Sequence, residues 1–189
     1  MRTAFAVVCL AFLFLASSAF AQTQPAPIPI TTACGPDNVK FDVKHDNAQH
    51  FLSQPEAGKA LVYVMEVFQR PPGEVGTPTI RIGLNGAWAG ANQGSSYFSF
   101  SVDPGEQHLC ANWQSMWKQL SSQHSFASFT AEAGKTYFFR VRVQFQTYAP
   151  GPSDSSNTVM WSIDLQPINA DEGKYLISSS PLSVFHAKK

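Results

Sequence analysis

Between Lys135 and Gln146 the chain reads KTYFFRVRVQFQ. Tyr137, Phe139, Val141, Val143 and Phe145 take alternate positions, with Phe138, Arg140, Arg142, Gln144 and Gln146 between them. Successive strand side chains point to opposite faces, so a period of two held over this length predicts a β-strand and excludes an amphipathic helix. The same period recurs along the chain. NTVMWSIDLQ aligns Val159, Trp161, Ile163 and Leu165. SYFSFSV alternates Phe98, Phe100 and Val102 with serines, and PTIRIGLNG sets Ile80, Ile82 and Leu84 against Arg81. KALVYVMEVFQ is apolar on both faces except at Glu66, the pattern of a central strand covered on both sides. VKFDVK predicts a short strand, and SFASFTA places Phe126 and Phe129 near another.

Turn chemistry separates these runs. Asn85-Gly86 is the signature of a type I′ hairpin. Asp103-Pro104-Gly105 predicts a tight turn, read most simply as joining the two strands of a hairpin. Beyond it, Gln107, Leu109 and Ala111 share one face, and Glu106, His108 and Cys110 the other. Helix signals are few. In WQSMWKQLSSQ, Trp113, Met116, Trp117 and Leu120 fall at helical spacing and predict a stripe that covers the core. In NADEGKYLIS, Asn169 is an N-cap candidate and Gly173 weakens the run. Seven or eight short strands with one or two short helices predict an all-β fold, an antiparallel β-sandwich, with a barrel as the alternative.

The chain opens MRTAFAVVCLAFLFLASSAFAQ, with one basic residue, an apolar run, then Ala19 and Ala21 in a small-x-small pattern. This is the form of a secretory signal peptide cleaved between Ala21 and Gln22. The run is too short to span a bilayer, which takes roughly 20 apolar residues, and no later run is long enough. The expected organisation is a signal peptide over 1–21, a leader with the first strand over 22–58, and a sandwich domain with a C-terminal extension over 59–189. Pro25, Pro27 and Pro29 make the leader extended. Roughly 170 residues remain after cleavage, enough for one domain with a sizeable core.

Cys9 leaves with the signal, so Cys34 and Cys110 remain. In an exported chain the simplest outcome is that they pair, and the leader segment is then tied to the domain. Two free thiols and an intermolecular bridge are the alternatives. The loop closed is long, worth roughly 4–5 kcal/mol in the chain-entropy model.

Composition restricts function. Lys and Arg number 13, as do Asp and Glu, and no basic patch interrupts the balance, so nucleic-acid binding is set aside. The five histidines show no HxH or HExxH spacing, and no metal or other cofactor is expected. There is no GxSxG elbow, and a cysteine nucleophile conflicts with oxidation, so no catalytic residue is assigned. A candidate ligand surface remains in Trp88, lying between glycines after the Asn-Gly turn, with Tyr148 and the pair Glu106 and His108. Trp161 alternates with core residues and reads as packed. Arg140 and Arg142 are placed on a solvated face, available to an anion or to acidic partners.

The order KALVYVMEVFQ, PTIRIGLNG, SYFSFSVDPGEQHL, FTAEAGKTYFFRVRV resembles the bacterial envelope family catalogued as domain of unknown function 2846, over about half the chain from Lys59 to Phe145. Phe138 stands where that family often has Tyr. The turn also resembles that of PEGA-type surface domains. The resemblance implies an exported β-sandwich and carries no activity, since fold does not supply function. The combined expectation is a periplasmic or secreted envelope module, binding or structural and non-catalytic, with an envelope protein or glycan as partner. The alternative is a hydrolase acting on envelope glycans or peptides through a carboxylate pair.

Overall fold

The computed structural model describes residues 33–48, 52–70, 76–149, 151 and 158–188. The expected signal sequence, the expected cleavage site at Ala21 and Gln22, and the proline-rich leader lie outside the described residues. Two sheets pack face to face as a β-sandwich. The larger is built from β1 (Phe41–Asp46), β10 (Leu182–Ala187), β5 (Tyr97–Val102), β2 (Ala60–Phe68), β8 (Thr136–Tyr148) and β9 (Thr158–Ile168), neighbours in that order. The smaller runs β4 (Ala87–Gln93), β3 (Thr79–Leu84), β6 (Gly105–Trp113), β7 (His124–Ala131).

The expected sandwich is present, with ten strands among the described residues where the runs suggested seven or eight. Most pairs are antiparallel, but β10 runs parallel to β5, and β2 and β8 run parallel at the centre of the larger sheet, in register from Leu61 with Thr136 to Phe68 with Val143. Strand β2 is covered on both faces. Val62 and Val64 meet Phe139, Val141, Ile80, Ile82 and Leu109 in the inter-sheet core. Leu61, Tyr63 and Met65 face outward, beneath helix α2 (Ala170–Ser179), where Ile177, Tyr97 and Phe138 close a second apolar cluster. Each such large side chain, once buried, contributes about 1.5–3 kcal/mol.

The N-cap expectation for α2 holds, since Asn169 accepts from the Glu172 amide. Gly173 is there because the helix presses on Phe138, whose ring occupies the place a Cβ would take. Tyr63 stacks on the same ring at 5.5 Å.

Two local expectations are corrected. Asp103-Pro104-Gly105 is a turn, but it does not close a hairpin: β5 pairs with β2 and β10, while β6 pairs with β3 and β7. The turn carries the chain from one sheet to the other. Turn residues fix a reversal and leave open which neighbour the next strand takes. The stripe from Trp113 to Leu120 is also not one helix. Trp113 ends β6 opposite Ile80, and only Lys118–Ser121 form the short helix α1. The Gln114 side chain holds both the N–H and the C=O of Phe41, at 2.6 and 2.9 Å, which fastens the end of β6 to the start of β1. By contrast, the Asn85-Gly86 hairpin forms as expected, with φ of 49° and 90°.

Candidate functional site

Several elements converge at one end of the sandwich around a groove of about 310 Å³. Phe68 ends β2, Trp113 ends β6, Thr79 begins β3, and Trp161 reaches in from β9. The floor is aromatic and fixed. Trp161 lies 6.1 Å from Trp113, edge to face, 6.1 Å from Phe68 and 5.7 Å from Phe145. Gln123 ties the two tryptophans together: its Oε1 accepts from Trp113 Nε1, and its Nε2 donates to the Trp161 carbonyl. The rim is open. Met116 is 92% and Trp117 68% exposed. Trp117 stands immediately before α1 with extended backbone, and its N–H donates to Ser115 Oγ. Large apolar side chains displayed beside a concave surface are unusual enough to call for a partner. Among the described residues none that lines the groove is ionisable; Thr77, Thr79 and Ser115 supply neutral polar groups.

The ligand-surface residues named from sequence are not brought together. Trp88 lies under the chain segment that precedes β1: its Nε1 donates to the Pro36 carbonyl, and the Arg81 guanidinium stacks 4.3 Å from its ring centre. Glycine is needed at Gly35, since a Cβ there would enter the indole. Trp88 therefore clamps the segment, and its half-buried ring is occupied. Glu106 and His108 do share a face, 3.7 Å apart, Glu106 exposed and His108 half-buried, and among the described residues no third side chain bonds to either of their side chains. Tyr148 is at the far end of β8, and its hydroxyl donates to Gln146. Arg140 is not solvated; it pairs with Glu172 of α2. Arg142 is exposed.

Met116 and Trp117 escaped sequence reasoning because helical spacing assigned them to the core. The available signal was Ser115, a residue that turns the chain locally and interrupts the stripe.

Cys34 and Cys110 form a disulfide, with Cα atoms 5.2 Å apart. It fixes residues 33–40 over β3 and β6. Beneath them Arg81, 4% exposed, donates through Nη1 to the Asp37 and Val39 carbonyls and through Nη2 to Asn112. A second buried charge-bearing group, Glu66, belongs to the core side of β2 and is 1% exposed. Burial pushes its carboxyl well above the usual carboxylate range. The Gly94 amide opposes that shift only in part, since it donates to the Pro78 carbonyl, and neither carboxyl oxygen gains a hydrogen bond. Asn92 Oδ1, on the facing strand β4, is likewise unsatisfied.

Among the described residues no three His, Cys, Asp or Glu side chains gather in a metal-binding group, and no helix is long and apolar enough to cross a membrane. No protein-family model matches the chain, and neither the curated proteins nor the solved structures yield a match.

Proposed function

We propose that this chain is an exported bacterial envelope protein, periplasmic or secreted, that binds a neutral envelope saccharide in the tryptophan-lined groove. The groove carries the reading: a floor of Trp113, Trp161 and Phe68, with Trp117 and Met116 open at the rim and no ionisable group among the described lining residues. The apolar faces of sugar rings stack on indole, and neutral hydroxyls at the edge accept and donate to the sugar's own. Most glycoside hydrolases work with two carboxyl groups on one cleft, and the described lining residues supply none. Export is supported by the signal-like first residues and by the Cys34–Cys110 bridge, a bond that persists in oxidising compartments. Kinship with domain of unknown function 2846 is part of the same proposal and rests on the order of strand motifs alone.

Co-sedimentation with purified murein sacculi tests the binding. The wild-type protein is expected in the pellet, and Trp117→Ala, which removes an exposed ring, in the supernatant. Equal partition of the two proteins, or a wild-type protein that stays soluble, overturns the assignment. Export has its own check in intact mass: processing after Ala21 and the loss of two protons to the bridge.

A further inference from the structure

We propose that the pocket between Arg81 and Lys40 binds a small oxyanion, a carboxylate or a phosphate group. The pocket holds about 190 Å³ and is lined by Asp37, Lys40, Arg81, Gln114, Ser115 and Ser121. Its inner wall is a buried cation whose charge is not neutralised at contact distance. Arg81 gives three of its five donors to two backbone carbonyls and the Asn112 amide oxygen, all neutral acceptors. Nε is buried without a partner. No carboxylate forms a salt bridge with it among the described residues; Asp37 acts on it only at longer range. Burying a guanidinium costs several kcal/mol unless a counter-charge or a full set of hydrogen bonds offsets it.

Lys40 adds a second cation on the open side, exposed and in no salt bridge among the described residues. With Asp37 as the one acid among the described lining residues, these carry a net charge of one positive unit. Ser115 and Ser121 complete the lining beside the guanidinium, a group suited to planar or tetrahedral oxyanions. The floor is rigid: the disulfide holds residues 33–40 down, and Trp88 stacks on Arg81. Gln114 and Ser115 also line the tryptophan groove, so the two sites flank one short loop. The oxyanion site does not depend on what that groove holds.

The test is an amide NMR titration of the mature, oxidised protein with inorganic phosphate and, separately, with acetate, each against chloride at matched ionic strength. Saturable shifts at Ser115, Ser121 and the Arg81 side chain are expected with at least one oxyanion and not with chloride. Phosphate alone points to phosphorylated ligands, acetate alone to carboxylates. Arg81 variants risk unfolding the clamp, so Lys40→Gln is the variant used: it should weaken binding by roughly fivefold or more while the thermal midpoint holds. Shifts that never saturate, that chloride reproduces, or that Lys40→Gln leaves unchanged would overturn the proposal.

Discussion

Glu66 is the residue whose chemistry is most at odds with its surroundings. It shares the core face of β2 with Val62 and Val64, buried and without a hydrogen bond to either carboxyl oxygen. Desolvation favours its neutral form, so its folded-state value lies above the unfolded one, near ~4.3. The folded state then holds the proton more tightly than the unfolded state, and stability falls as pH rises. The contribution is present in full below about pH 4 and is lost as the pH climbs through the raised folded value, with a slope of up to about 1.4 kcal/mol per pH unit. Glu66→Gln has no proton to lose. Denaturant midpoints measured from acid to neutral pH should decline for the wild-type protein, and the variant should lack that component. Parallel profiles for the two would show that Glu66 is ionised in the fold.

Individual elements show what the sequence does and does not disclose. Alternation identified most of the strands, because the period is local, but Ala87–Gln93 and Leu182–Ala187 carry no clear alternation and were not read as strands. It could not foretell that β2 and β8 pair in parallel, or that Asp103-Pro104-Gly105 crosses between sheets, because both depend on contacts distant in the chain. The N-cap at Asn169 was legible for the opposite reason: it needs only three residues. Gly173 looked like a weakness in α2 and is a fit to Phe138. In an open helix Gly→Ala gains up to about 1 kcal/mol. Here Gly173→Ala should destabilise by about 1–3 kcal/mol, from overpacking against that ring, as read from a thermal or denaturant midpoint. The segment before β1 behaves as an element too, held by the disulfide, Arg81 and Trp88. Replacing Cys34 and Cys110 together by Ser should cost about 4 kcal/mol, through a loop of 76 residues, and shift Trp88 emission to the red. Unchanged stability and emission would mean that the clamp holds without the bridge.

At the scale of the molecule, the sandwich brings strand ends together, and that is where the candidate site lies. Phe68, Trp113 and Trp161 are far apart in sequence, Trp113 read as part of a helical stripe and Trp161 as packed; the stacking of two sheets makes them the floor of one groove. Trp88 was singled out for its glycine neighbours, and the fold covers it with a segment whose path no local pattern specified. The groove is therefore the part of the site that sequence could not supply, and the proposed binding takes place there. Tryptophan fluorescence titration with soluble N-acetylglucosamine oligomers, on wild-type protein and Trp117→Ala, tests it most directly. A saturable change is expected in the wild-type protein, weakened about tenfold or more in Trp117→Ala at unchanged thermal midpoint. No saturable change in the wild-type protein, or equal affinity in both, would contradict it.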